Sequence, residues 1–279
     1  MSTPLALAHG HGIGMPSDAD AWALVEGAGL AALGAAAALY AIALWRSRRR
    51  SPWPLARSAS WFAGLACAAI AVGPIARAAH ESFTAHMVGH LLLGMLAPLL
   101  LVLGAPVTLA LRALPVDDAR AFARVLRSRA VRWLTHPVVA LLLDLGGLWL
   151  LYGTAQHAGG LFALMHGSAL VHAGVHLHIL LAGYLLTASL VGRDPDPHRA
   201  PLAVRAAVLV VFIAGHSMLA KWLWAHPPVG VDALDAQAGS QVMYYGGDVV
   251  DVALLVLLGW RWFTATRPRT AAVPATATT

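Results

Sequence analysis

The run of residues 83–111 is almost wholly apolar, and it constrains the fold more than any other part of the chain. An α-helix rises about 1.5 Å per residue, so roughly 20 apolar residues cross a hydrocarbon core about 30 Å thick. The run is therefore predicted to span a membrane. His86 and His90 lie near its beginning, one helical turn apart on one face. Because polar groups are costly inside a bilayer, this pair is a candidate functional site.

The composition extends this interpretation to the whole chain. Of its 279 residues, 59% are hydrophobic and only 11% are charged, which is typical of a polytopic membrane protein. We predict an all-α fold, a bundle of seven transmembrane helices, with spans at residues 21–45, 59–79, 83–111, 133–152, 161–192, 202–225 and 242–263. Residues 1–20 are expected to form a histidine-containing tail, and residues 264–279 a disordered tail.

The basic residues predict the orientation of this bundle. All but Arg77 and Lys221 of the 19 Lys and Arg residues fall on one predicted side. The positive-inside rule then places the C-terminus in the cytoplasm and the N-terminus outside. These residues sit in short loops rather than on one surface, which argues against a nucleic-acid partner. The segment 112–132 has the amphipathic, arginine-rich pattern of a short helix lying on the membrane surface.

The histidines show the opposite polarity, since most of the 14 fall on the predicted outer side. In the fifth predicted span, His172 and His176 lie one turn apart, at about the same depth as His86 and His90. Two such pairs could supply imidazole nitrogens to one metal centre, a donor set that suits copper. His216, near the middle of the sixth span, is a further candidate. The single cysteine, Cys67, cannot form a CxxC metal motif.

Methionines provide soft sulfur atoms that could complete such a copper site. At 100° per residue, Met165 would share the helical stripe of His172 and His176. Any one methionine is more often core packing than a ligand. The candidates are Met87, Met165, Met218 and Met243.

Charged residues in the last two spans form a second group of candidates. Asp248 and Asp251 lie close together on the seventh span, and Lys221 lies on the sixth. Intramembrane charges normally pair, so either Lys221 and Asp248 form an ion pair that docks the two helices, or the group orients a histidine ligand. In the N-terminal tail, His9 and His11 could help to collect the ion.

Several motifs together resemble the CtaG family of integral-membrane assembly factors for caa-type cytochrome c oxidase. They are HMVGH followed by APLLLVLGAPVTLALR, HAGVHLHILLAGYLL followed by GRDPDP, and the segments GHSMLAKW and YYGGDVVD. The resemblance covers about residues 20–263. Pro98-Leu99 departs from a double proline that is common in the family, which affects helix shape rather than ligands. By this resemblance, the family's functional positions correspond to His86, His90, His172, His176, His216 and Asp248.

The resemblance implies a non-enzymatic protein of the bacterial cell membrane that binds copper and helps deliver it to a maturing haem-copper oxidase. Its expected partners are the lipid bilayer, oxidase subunits and an extracytoplasmic copper chaperone. The leading alternative is a membrane cytochrome or quinol oxidoreductase with haem held by two histidines. A proton-coupled copper transporter, with Lys221, Asp248 and Asp251 as a charge relay, is the third hypothesis.

Overall fold

The computed structural model describes residues 18–50 and 52–267, and within these ranges the chain is helical and contains no β-strand, as expected. Two π-helical segments, Ala71–Ile75 and Leu91–Leu96, join α2 to α3 and α4 to α5. The α-helices are α1 (Asp18–Ser47), α2 (Leu55–Ile70), α3 (Ala76–Ala78), α4 (Phe83–His90), α5 (Ala97–Leu103), α6 (Pro106–Ala113), α7 (Val116–Leu126), α8 (Arg129–Leu134), α9 (Pro137–Gly153), α10 (Leu161–Gly167), α11 (Ala169–Val191), α12 (Leu202–Ala225) and α13 (Ala233–Thr266).

Six helical stretches in the described ranges are long and apolar enough to cross a membrane. Helix α9, in the place of the predicted fourth span, is apolar but has only 17 residues. The multi-pass membrane class is therefore confirmed, while the count of seven spans and the orientation of the termini stay predictions. The six stretches are Ala19–Ser47, Leu55–Ala78, Phe83–Leu103, Ala169–Val191, Leu202–Ala225 and Ala233–Thr266.

The third span is shorter than the sequence pattern predicts. Instead of continuing to residue 111, it ends at Leu103, and the chain turns before α6 begins at Pro106. Ala105, with φ 50° and ψ 56°, adopts the left-handed conformation at this turn. Proline lacks a backbone N–H and disfavours a right-handed helical conformation in the residue before it, which explains why the helix is interrupted here.

The fifth and seventh spans also differ from their predicted limits. The expected helix over 161–192 is divided into α10 and α11 by Ser168, which has an extended backbone and caps α11 by accepting the N–H of Val171. Met165 therefore lies on a different helix from the histidines with which it was grouped. Helix α13 begins at Ala233, well before residue 242, because the carboxylate of Asp232 caps its first turn.

The stretch formed by α4, the second π-helical segment and α5 is the most buried of the six and occupies the centre of the bundle. It packs against α2, α11 and α13. Gly183 of α11 lies so close to it that a Cβ atom there would overlap the carbonyl oxygen of Gly94. Small residues allow this kind of close backbone approach between helices in a membrane.

We expect Gly183→Ala to separate α11 from the central stretch and to lower the free energy of unfolding by about 1–3 kcal/mol, the usual cost of overpacking. Gly174→Ala is the matched control, because no atom lies within 4 Å of a Cβ atom built there on the same helix. Thermal unfolding in detergent can be followed through the thiol of Cys67, the one cysteine of the chain. Equal melting temperatures for the two variants would contradict this account.

Candidate functional site

The beginning of α4, which carries the first histidine pair, is held by a carboxylate from α13. Asp235 accepts the backbone N–H groups of Phe83 at 2.6 Å and Thr84 at 3.0 Å. It also accepts the hydroxyls of Ser82 at 3.2 Å and Thr84 at 2.6 Å. The first N–H groups of a helix lack partners within the helix, and their partial positive charge favours an anion. This contact therefore fixes where α4 starts relative to α13.

His86 lies on the buried face of α4, one turn inside this cap. Its Nε2 atom shares a 2.9 Å hydrogen bond with the hydroxyl of Tyr152, on α9. Its ring centroid lies 5.6 Å from that of His166, on α10. The rings of Phe83 and Phe162 cover the remaining sides at centroid distances of 5.9 and 5.5 Å. His86 therefore connects three helices within an aromatic environment.

His90, the last residue of α4, faces His216 of α12. The two ring centroids are 5.9 Å apart, and the ring planes are inclined by 21°. His90 is 5% exposed and neither of its ring nitrogens has a hydrogen-bond partner; Nε2 of His216, which is 1% exposed, also has none. Buried polar atoms are nearly always hydrogen-bonded, so three unpartnered nitrogens in one place make this pair the candidate ligand site.

Two glycines shape the space around these facing rings. A Cβ atom at Gly247 of α13 would lie 2.6 Å from Cε1 of His216. A Cβ atom at Gly94, in the π-helical segment, would lie 3.4 Å from Cε1 of His90. Glycine at position 247 is therefore required for the observed position of the His216 ring. Gly94 belongs to a π-helical turn, and such turns occur frequently at functional sites.

The second predicted pair lies on α11 and lines a cavity of about 370 Å³. The rings of His172 and His176 are stacked with centroids 3.9 Å apart, and Nδ1 of His176 bonds to the carbonyl oxygen of His172 at 2.9 Å. The His172 ring also lies 6.1 Å from that of His80 and 5.0 Å from that of Trp22. This pair therefore belongs to a more open environment than His86 and His90.

The predicted histidines thus form two neighbouring groups. The buried group consists of His86, His90, His166 and His216, and the cavity group consists of His80, His172 and His176. Leu93, one turn after His90, also lines the cavity, so the cavity group borders the stretch that carries His86 and His90. Over residues 18–50 and 52–267, no three or more His, Cys, Asp or Glu side chains are arranged to hold a metal ion. A single site shared by both histidine pairs stays a prediction.

The four candidate methionines differ in position. Met87, Met165 and Met243 are fully buried in one apolar cluster together with Tyr152. Met218 is 62% exposed, so it points away from the interior of the bundle. Three of the four methionines therefore lie in the interior of the bundle, where they pack in the apolar core.

Of the two alternatives for the charged candidates, the ion pair between Lys221 and Asp248 is not formed, and the orientation of a histidine ligand stays a prediction. Among the ion pairs in the described part of the chain, none joins Lys221 to Asp248, and the Lys221 ammonium group instead lies 5.1 Å from the centroid of the Tyr244 ring. Cation–π contact is an alternative way to stabilise this ammonium group. Asp251 is 2% exposed, and neither of its carboxylate oxygens has a hydrogen-bond partner. The tail candidates, His9 and His11, lie outside the described residues.

Three residues that organise this region are not among the candidates from the sequence. The predicted spans place Tyr152 at the end of the fourth, His166 within the fifth, and Asp235 between the sixth and the seventh. The sequence contains no local signal for the contacts of Tyr152 and Asp235, because their partners are 66 and more than 150 residues away. His166 follows Phe162 by one turn, a spacing that would have placed both on one face.

These features define a multi-pass helical membrane protein with a histidine-rich interior. A model of the cytochrome c oxidase caa3 assembly factor family, Caa3_CtaG, matches residues 38–265, and the chain belongs to this family. The match includes both histidine groups.

Three curated proteins, all named as uncharacterized, are similar to part of the chain. Those of Mycobacterium bovis and Mycobacterium tuberculosis are each 35% identical to it over 178 residues, and that of Mycobacterium leprae is 32% identical over 180 residues. Each alignment covers 61% of this chain and 26% of the relative, so the matched part is about a quarter of the relatives' length. No solved structure matches the chain.

We expect Asp235→Ala to lower the free energy of unfolding by about 1–3 kcal/mol, because it leaves the first N–H groups of α4 without their carboxylate partner. Glu81→Ala, which changes an exposed carboxylate in the preceding turn, is the control and should have little effect. Thermal unfolding in detergent measures both. A cap role for Asp235 would be excluded if the two variants were equally stable.

Proposed function

We propose that this protein assists the assembly of a haem-copper terminal oxidase by binding copper in the buried histidine group and passing it to oxidase subunits. Membership of the caa3 assembly factor family supports the oxidase as the partner. The orphaned nitrogens of His90 and His216 are the observation that supports copper. The role is the transfer of an ion and not the catalysis of a reaction.

The donor set of the buried group agrees with the chemistry of copper. Neutral imidazole binds both oxidation states of copper, and thioether sulfur favours Cu(I). His90 and His216 are the first candidates because they face each other without other partners. His86 lies next to them, held by Tyr152 in one orientation, as outer hydrogen bonds commonly orient metal-binding histidines. Met87 and Met243, buried in the same region, are candidates for soft ligands.

His172 and His176 could receive the ion before it reaches the buried group. They line the cavity of about 370 Å³, whose wall also includes Leu93, one turn after His90. On this proposal His9 and His11 collect copper from an extracytoplasmic copper chaperone. The bundle then crosses the bilayer seven times, with α9 as the fourth span and the N-terminus outside.

Haem is the second candidate, because the facing pair His90 and His216 would also suit two axial ligands from two helices. An optical spectrum separates the two hypotheses, since a haem protein shows a strong Soret band. The close packing of Gly247 against the His216 ring favours the smaller ligand.

We expect the detergent-purified protein to bind copper without a Soret band, and we expect His90→Ala and His216→Ala each to lose most of that copper. His176→Ala should lose copper if both histidine groups share the ion. His157→Ala is the control, because this exposed histidine lies in a loop outside both groups. Elemental analysis and an absorption spectrum measure these outcomes, with the copper content of the oxidase in cells producing each variant as the functional measurement.

A Soret band that disappears in the variants would show that the buried group binds haem rather than copper. If all variants bound copper equally, the buried group would be excluded as the copper site. Normal copper content of the oxidase in cells that lack this protein would exclude the assembly role.

We also expect Gly247→Ala to reduce copper binding, because the added methyl group must displace the His216 ring. This variant keeps all the histidines, so its effect reports ring position rather than ligand number. Gly259→Ala on the same helix is the matched control, since no atom lies within 4 Å of a Cβ atom built there. Copper titration of the two variants, combined with their melting temperatures, tests the expectation; equal copper affinities would contradict it.

A further inference from the structure

The cavity of about 370 Å³ lies between α1, the first π-helical segment and α11. Its volume falls in the range of about 300–1,000 Å³ that is usual for small-molecule sites. Most of α1 is not covered by the rest of the protein, so this cavity lies at the edge of the bundle that faces lipid. Apolar side chains form most of its wall, including Ala28, Ala32, Leu33, Val72, Leu177 and Leu180.

One part of the cavity wall is polar and aromatic. The rings of Trp22, His80 and His172 lie against one another at centroid distances of 4.7 to 6.1 Å. Nδ1 of His172 is buried and has no hydrogen-bond partner. Beside these rings, Arg77 and Glu26 form an ion pair of 3.1 Å. The cavity thus combines an apolar wall with flat rings and with the imidazoles of His80, His172 and His176.

The charge of the cavity wall selects among membrane-soluble ligands. Arg77 is the one lysine or arginine among the lining side chains, and it is paired with Glu26. A phospholipid phosphate would have to compete with this carboxylate, whereas a neutral head would not. Flat aromatic walls favour a planar head, because ring faces and edges pack well against one another.

We propose that this cavity binds a neutral quinone, a planar ring with two carbonyl groups and an apolar tail. One carbonyl oxygen accepts a hydrogen bond from the imidazole of His172, and the ring packs against Trp22 and His80. The tail lies along the alanines of α1 and leaves toward the bilayer. The site binds the molecule without any chemical step. It shares His172 with the proposed route of copper but does not include the buried histidine group, so quinone binding does not require copper to be bound.

The test measures binding of decyl-ubiquinone, a short-tailed quinone, to the protein in phosphatidylcholine nanodiscs. Quinones quench indole fluorescence on contact, and the quenching at Trp22 is the part that disappears in Trp22→Phe. We expect Ala32→Phe, which fills the cavity, to raise the Kd by about tenfold or more. Ala38→Phe is the matched control, because Ala38 is also exposed on α1 but does not line the cavity.

His172→Phe tests the hydrogen bond, with His157→Phe as its control. His172→Phe should weaken quinone binding, while its melting temperature should stay near that of the wild type. Equal affinity of Ala32→Phe and Ala38→Phe would overturn the proposal. So would quenching that Trp22→Phe does not change, or displacement of the quinone by phosphatidylglycerol, which would assign the cavity to an anionic lipid. Copper bound by the wild type in the absence of quinone tests the copper proposal on its own, which keeps failure here distinct from failure of that proposal.

Discussion

Two carboxylates from distant parts of the chain determine where the central stretch begins and where it turns. At one end, Asp235 of α13 accepts the first N–H groups of α4. After the turn at the other end, Asp194 accepts the N–H groups of Val107 at 3.2 Å and Thr108 at 2.7 Å, at the start of α6. Free N–H groups are costly near lipid, so each of these helix ends is stabilised only when the segment that carries its carboxylate partner is in place. The positions of the central histidines therefore depend on α13 and on the segment that follows α11.

Sequence reasoning predicted the helical membrane class and the sixth span, whose limits at Leu202 and Ala225 agree with the structure. Apolar length determines these features, and length is visible in the sequence. The breaks at Ser168 and Ala105 were not predicted, because both lie in runs that remain apolar on either side. A local polar hydrogen bond or a single left-handed residue interrupts a helix without changing its hydropathy.

The candidate site shows the same division between local and long-range information. The one-turn spacing within each histidine pair was readable, since it depends only on helix geometry. The facing of His90 and His216 was not, because it depends on how α4 and α12 are arranged in the bundle. The arrangement of helices in a bundle cannot be read from the hydropathy of the sequence. The same arrangement places the Lys221 ammonium group beside the Tyr244 ring rather than in an ion pair with Asp248, which was one of two alternatives from the sequence.

The π-helical segment Leu91–Leu96 has a geometric consequence for the whole centre of the protein. A turn closed by i→i+5 hydrogen bonds holds roughly one residue more than an α-helical turn. One residue corresponds to about 100° of rotation around the axis. The segment therefore sets the rotation of α5 about the helix axis relative to α4. With this rotation, the histidines of α4 face His216 and Tyr152, and α5 makes its apolar contacts with α2. Because of this extra residue, the two halves of one span present different faces to their neighbours than a continuous α-helix would.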